Sequence, residues 1–284
     1  MRKRALEVLG VWLVFFGGPV GCRDGFVGDN ATAILADGVI GRGERDASNY
    51  IVADFQAEAR GDAHGVELGR AYLVQCDPED TANYPWRRVL IAGVNRSDEP
   101  VTGIFGADIQ YFTPEGDPVV GDAVNARFTG SVRESSTRSQ SYQDSLGPGE
   151  MGWFDASEDQ GVDPAYFGTI TFDIGQKAEG NSPGHDAPSV VKAVGYEYIA
   201  GDGSQADTLT ITVKNLGDRE AYVNSVTHVV LDEQGRPLHF GVTRVAAWLS
   251  PGQTVDAVDE TFYFHGTGSK LWTSVWMSTE VFTQ

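Results

Sequence analysis

The chain has 284 residues, with 21 Lys and Arg against 40 Asp and Glu, a formal net charge of -19. A hydrophobic share of 41% is enough to build a core and excludes wholesale disorder, while the acid excess excludes nucleic acid and anionic membrane as electrostatic partners. Two cysteines, Cys22 and Cys76, exclude a disulfide-dense scaffold, and 35 Gly with 12 Pro point to many turns and few long helices.

The chain opens on a cationic stretch, Met1-Arg-Lys-Arg4, and continues as an uncharged apolar run of 13 residues from Val8 to Val20. That run is short for a spanning helix of about 20 residues and fits the core of a signal peptide over residues 1–21. It ends in Pro19-Val20-Gly21-Cys22. This resembles the bacterial lipobox, in which a small residue precedes a cysteine that is lipidated and becomes the new N-terminus. The resemblance implies lipidation of Cys22, a lipid anchor at the membrane surface, and a place in the bacterial cell envelope. The competing reading is an ordinary cleaved signal and a secreted protein. With Cys22 acylated, Cys76 is left as a small buried hydrophobe; with Cys22 retained as a thiol, a Cys22–Cys76 disulfide becomes available. No other stretch is apolar and long enough to span a bilayer.

Residues 22–69, rich in Gly, Asp, Ala and Arg, read as a tether with one short helix. Asp46-Ala-Ser-Asn49 offers a cap, and Ile51, Phe55 and Ala59 have helical spacing from about Tyr50 to Arg60. After about Ala71 the texture changes to short β-rich runs between turn signals. Tyr72-Leu-Val, Val89-Leu-Ile-Ala, Ile109-Gln-Tyr-Phe, Met151-Gly-Trp-Phe and Thr169-Ile-Thr-Phe-Asp-Ile read as strands. Later, Gly195-Tyr-Glu-Tyr-Ile, Leu209-Thr-Ile-Thr-Val, His228-Val-Val-Leu, Thr261-Phe-Tyr-Phe and Leu271-Trp-Thr-Ser-Val-Trp-Met do the same, and Leu209, Ile211 and Val213 alternate with threonines as in a half-buried strand.

Two halves align. Asn95, Gly116-Asp-Pro118 and Leu146-Gly-Pro-Gly149 of the first match Asn215, Gly235-Arg-Pro237 and Leu249-Ser-Pro-Gly252 of the second. The Asn offset is 120 and the Gly and Pro offsets 119, but the Pro-Gly offset is 103, so the first half carries 16 extra residues. These fall in the polar, Ser-rich stretch Arg127 to Ser145, which reads as a solvated loop. Asn tolerates turning backbone, Gly supplies positive φ, and Pro-Gly marks a turn, so each shared residue has a backbone reason to recur. A period near 120 with about seven short strands per copy predicts an all-β fold: two tandem immunoglobulin-like β-sandwiches, at 70–178 and 189–284, joined by a linker at 179–188. The order strand-Asn, D/E-x-G turn, L-x-P-G turn resembles the FxLYD-type domains of bacterial secreted proteins and lipoproteins. Those are immunoglobulin-like sandwiches, generally of unassigned function.

Catalytic motifs are sparse. There is no G-x-S-x-G, H-x-H, H-E-x-x-H, C-x-x-C or P-loop, and the histidines His64, His185, His228, His239 and His265 are scattered. His228 and His239 face each other across a hairpin around Gly235 and read as a cross-strand pair. Asp155, Glu158, Asp159 and Asp163 form an acidic loop cluster that reads as solvated surface, with a calcium site as the alternative. No other cofactor is indicated. Trp272 and Trp276 share a strand face and read as core filling, with an exposed strip that stacks on sugar rings as the alternative. The leading expectation is a non-enzymatic interaction or structural module of the envelope with an unidentified protein or glycan partner. A glycan- or calcium-dependent binding protein is the alternative, and a sandwich-fold hydrolase the second.

Overall fold

The computed structural model describes residues 34–35, 38–60, 63–75, 87–103, 106–113, 115–118, 124–130, 132–135, 142–158, 169–174, 190–202, 206–262 and 264–278. The expected signal, Cys22, Cys76, Asp159, Asp163 and the expected linker lie outside them. Seventeen strands run through the described residues. They are β1 (Ile34–Leu35), β2 (Ile51–Arg60), β3 (Val66–Gln75), β4 (Arg87–Asn95), β5 (Val101–Gly103), β6 (Gly106–Gln110), β7 (Val124–Thr129), β8 (Val132–Ser135) and β9 (Tyr142–Leu146). Then follow β10 (Met151–Glu158), β11 (Thr169–Ile174), β12 (Val191–Ile199), β13 (Asp207–Asn215), β14 (Ala221–Leu231), β15 (Pro237–Leu249), β16 (Thr254–Phe262) and β17 (Lys270–Ser278). The fold is an all-β sandwich architecture, as the turn-punctuated pattern predicts.

The helix expected from about Tyr50 to Arg60 is instead β2, preceded by a single 3₁₀ turn at Ala47–Asn49. The cap is real: the Asp46 carboxylate accepts from the Ser48 amide at 3.0 Å. The continuation is not helical because Ala53, Phe55, Ala57 and Ala59 alternate with Asp54, Gln56, Glu58 and Arg60, which is a strand's period of two. Phe55, Ala53 and Ala57 point into the first core.

In the first unit, seven strands close on themselves in the order β10-β4-β3-β2-β11-β6-β7. Closure comes through β2, which lies parallel to β11 and antiparallel to β3. The interior is filled by Phe55, Leu73, Val89, Ile91, Phe128 and Phe154, with the Phe128 and Phe154 rings 4.6 Å apart. In the second unit, the sheet β12-β13-β16 packs on β14, β15 and β17. Leu209, Ile211 and Val213 face that core while the intervening threonines face outward, as the alternation predicts.

The two units are interleaved. Residues 38–50 belong to the second unit before the chain enters the first. Ile40 and Gly268 exchange backbone hydrogen bonds at 2.9 and 2.7 Å, and Ile40 and Tyr50 are buried in the second core. The expected loop at 127–145 is also structured: it contributes β8 and β9. β8 runs parallel to β17, with Val132, Arg133 and Glu134 opposite Val275, Trp276 and Met277. Backbone pairing needs no apolar side chains, so a polar stretch can extend the sheet, here in the order β17-β8-β9-β5.

A third core seals the units together. Tyr72, Val74, Leu90, Ala92, Val94, Met151 and Trp153 on the outside of the closed sheet meet Val229, Leu231, Phe240 and Trp272. Trp153 and Trp272 make an edge-to-face contact at 6.5 Å, and the Trp272 indole N–H donates to the Met151 carbonyl at 3.1 Å.

The duplication is visible as two matching pins. The fully buried Asn95 amide donates to the carbonyls of Glu99 (2.8 Å) and Leu146 (3.0 Å), and its side-chain oxygen accepts from the Ser97 amide at 3.0 Å. The fully buried Asn215 does the same toward Arg219 (2.7 Å), Leu249 (2.8 Å) and the Gly217 amide (2.9 Å). The Pro-Gly turns return to them: Gly149 donates to the Asn95 carbonyl and Gly252 to that of Asn215, with φ of 75° and 78°. Each pin joins one turn to a distant strand end through groups that have no water to fall back on.

Asn215→Ala orphans those buried groups and is expected to cost about 2–4 kcal/mol in urea unfolding; a loss under about 0.5 kcal/mol would show the pin to be dispensable. Trp272→Ala removes a seam anchor and is expected to cost about 3–5 kcal/mol. Far-UV circular dichroism and tryptophan fluorescence should still report one coincident transition, and two separated transitions would show that the units unfold independently.

Candidate functional site

The residues singled out from sequence are dispersed by the fold. Asp155 is not in a loop. It is on β10, paired across to Leu90 of β4, and its carboxylate is 2.5 Å from the Arg88 guanidinium. Arg88 in turn lies over the Phe240 ring at 4.8 Å. Asp155 therefore neutralises an arginine beside the seam, and neither lies on a solvated loop nor stands free as a loop ligand for calcium. Glu158 ends the same strand. Among the described residues no group of three His, Cys, Asp or Glu gathers as a metal site.

Trp272 and Trp276 do share a face of β17, as their spacing predicts. Trp272 is fully buried in the seam and presents no ring to solvent, so it fills a core as its leading reading has it and takes no part in the exposed strip of the alternative. Trp276 is half-buried and lies beyond the seam.

His228 and His239 come together, with ring centroids 5.8 Å apart at 23°. His228 is opposite Gly241 on β15 and has its ring among His239 and Phe262. Gly241 is required there: a Cβ would lie 2.5 Å from His228 Nε2. Both ring nitrogens of His228 lack a hydrogen-bond partner among the described residues, and burial pushes its pKa down to about 4. The imidazole is neutral near pH 7 and sealed from solvent. His265, by contrast, pairs with Glu44 at 2.9 Å.

A second buried titratable group is Asp207. Burial pushes its carboxyl up, but Arg42, the Gly201 amide and the Tyr198 hydroxyl outweigh that and hold it below the usual carboxylate range. The Arg42 guanidinium approaches at 2.8 and 2.9 Å, the Tyr198 hydroxyl donates at 2.8 Å and the Gly201 amide at 2.8 Å. Burial and the Asp207 bond together raise the Tyr198 pKa. The Arg42 contacts fasten residues 38–50 to the second unit while Tyr198 and Gly201 hold the carboxylate in place, so the cluster is a latch. Sequence reading missed it because Arg42 and Asp207 are 165 residues apart.

The remaining candidate is the face of β14, β15 and β17 that carries the seam. Beyond the seam row Phe240–Val229–Trp272, cross-strand pairing lays out three further rows. The first is Val242–Thr227–Ser274. The second is Arg244–Ser225–Trp276, with Arg133 of β8 at the next register position. The third is Trp248–Tyr222–Ser278. Trp248 is 39% exposed, Val242 58%, and Arg244 is exposed as well. The Tyr222 and Trp248 rings are 5.1 Å apart. The hydroxyls of Ser274 and Ser278 are buried and have no hydrogen-bond partner among the described residues. Rings, one guanidinium and unanswered hydroxyls on a flat sheet can hold a ligand but offer no base beside a nucleophile.

Compared with models of known protein families and with characterised proteins, the chain matches none.

The titration of His228 gives a test. In the unfolded chain its imidazole binds a proton below about pH 6.5, whereas in the fold it does so only near 4. Its contribution to stability is therefore present above pH 6.5 and is lost as pH falls toward 4. The loss is on the order of 3 kcal/mol. His228→Leu is expected to be as stable as the parent at pH 7 and to flatten the stability profile between pH 4 and 6.5. An unchanged slope in urea unfolding across that window would refute the assignment.

Proposed function

We propose that this chain is a non-enzymatic, extracytoplasmic protein of the bacterial envelope, held at the membrane surface by a lipid on Cys22, that acts as an interaction module. The observation that supports this most is how the polar groups able to carry chemistry are spent. Asp207 is consumed by a latch, Asp155 by Arg88, Asn95 and Asn215 by turn carbonyls, and His228 is buried without a partner. What remains open is a binding face rather than an arrangement of acid, base and nucleophile. The cationic start, the short apolar run and Cys22 supply the export and anchor part of the reading. The resemblance of the repeated turns to FxLYD-type domains points the same way, since those belong to bacterial secreted proteins and lipoproteins.

A glycan-binding role is the second reading, favoured by the Trp248–Tyr222 pair and the half-buried Trp276. A calcium-dependent role draws less support, because Asp155 is already neutralised. A hydrolase reading draws no support from the paired histidines, since His228 is sealed in the interior and the partly exposed His239 stacks on it.

Anchoring is tested by expressing the full chain in a bacterial host and partitioning it in Triton X-114. The parent should enter the detergent phase and Cys22→Ser the aqueous phase. Equal partition of the two would remove the lipid anchor from the reading.

A further inference from the structure

We propose that the open face of β14, β15 and β17 binds an acidic oligosaccharide, one whose sugar rings carry carboxylates. The inference deepens the interaction-module reading and rests on its binding part, not on the anchor at Cys22.

Three observations converge. The first is aromatic. Trp248, Tyr222 and Trp276 occupy two adjacent rows of the face, and Trp248 is 39% exposed. Their flat apolar rings suit the C–H face of a pyranose, which an aliphatic side chain cannot match over the same area. Trp248 and Trp276 are on strands separated by β14, so they are roughly 10 Å apart across the sheet. That separation suits several linked rings rather than one.

The second is polar. Ser274 and Ser278 are 2% and 3% exposed and lack any hydrogen-bond partner among the described residues. Ser278 is in the row of Trp248 and Tyr222, and Ser274 is one row inward of Trp276. Native proteins seldom leave buried hydroxyls unanswered, and a hydroxyl both donates and accepts. These hydroxyls are closed to solvent beside the half-buried Tyr222 and Trp276, so a ligand reaches them only when those rings turn aside; sugar hydroxyls, which likewise donate and accept, then answer them.

The third is electrostatic. β14, β15 and β17 contain no Asp or Glu in their 33 residues, although the chain carries 40 acids in 284. The exposed charge on the rows of β14, β15 and β17 is that of Arg244; further along the row of Trp276, β8 places Arg133 and β9 places the buried Asp144 opposite it in register. On the seam and core sides, Lys270, His228 and His239 of these strands add no negative charge, and Asp155 of the closed sheet is paired with Arg88, which lies over Phe240. A guanidinium meets a carboxylate through two parallel hydrogen bonds, so Arg244 selects a uronate-type sugar over a neutral one. The acid surface elsewhere repels such a polymer and confines it to this face. A nucleic acid would meet that same repulsion over a much larger footprint, and a peptide would leave the serine hydroxyls without matched partners.

The test uses the full chain and a panel of oligogalacturonate, oligoalginate and chondroitin fragments beside neutral cello- and chito-oligosaccharides, read by tryptophan fluorescence and calorimetry. At least one acidic fragment should bind, at least tenfold more tightly than the neutral ones. Trp248→Ala and Arg244→Gln should each weaken it at least tenfold, with melting temperatures close to the parent. Lys214→Gln, on the opposite sheet, should bind like the parent. Absence of binding across the acidic panel, equal affinity for neutral sugars, or parental affinity in Arg244→Gln would overturn the proposal. Cleavage of a bound fragment by the parent would overturn the non-enzymatic reading while leaving binding at this face intact.

Discussion

A β-strand has two faces, and β14 buries both. Val223, Val226 and Val230 enter the core shared with β12, β13 and β16, while Val229 and Leu231 enter the seam against the closed sheet. β17 repeats the arrangement, with Leu271, Val275 and Met277 on one side and Trp272 on the other. A sheet apolar on both sides cannot be left half covered. Eleven residues line the seam, and a fully buried large apolar side chain contributes roughly 1.5–3 kcal/mol. Their gross sum rivals the whole net stability of an ordinary domain, about 5–15 kcal/mol. The two units therefore stand or fall together, and the direct strand pairing of β8 with β17 follows from that shared centre.

Within this frame the duplication was kept where backbone chemistry demands it and broken where the halves meet. Asn95 and Asn215 hold their turns through the same donors and acceptors, and the two matching hairpin turns use Gly116 and Gly235 at φ of 91° and 80°. The copies part at the insertion in the first. Its strand β8 lies parallel to β17, as β2 lies parallel to β11 in the closed unit. A strand from the first unit thus fills, in the second, the place that β2 fills in its own.

What could be read from the sequence follows the range of the forces involved. The repeat, the turns, the alternation of Leu209, Ile211 and Val213 and the shared face of Trp272 and Trp276 are set by residues a few positions apart, and each was legible. The stretch at 51–60 carries both a helical spacing and an alternation; the alternation prevails because its apolar side has a barrel interior to enter. The pairing of Asp155 with Arg88 spans 67 residues, and the latch of Arg42 on Asp207 spans 165, so neither leaves a local mark. The same holds for the face of β17, where spacing aligns the two tryptophans but only the docking of the closed sheet decides that Trp272 is hidden and Trp276 is not.

The threading of the chain also orders its assembly in time. β1, the bridge at Ile40 and the parallel strand β8 all come early in the sequence, yet each pairs with β17 or with the residues just before it. A polypeptide made from its N-terminus must hold these segments without their partners until residues 268–278 have emerged. Neither unit can seal its shared sheet while synthesis is under way. A chain so threaded holds the strands of its first half in waiting, and the last strand to arrive is the one that closes the sheet for all of them.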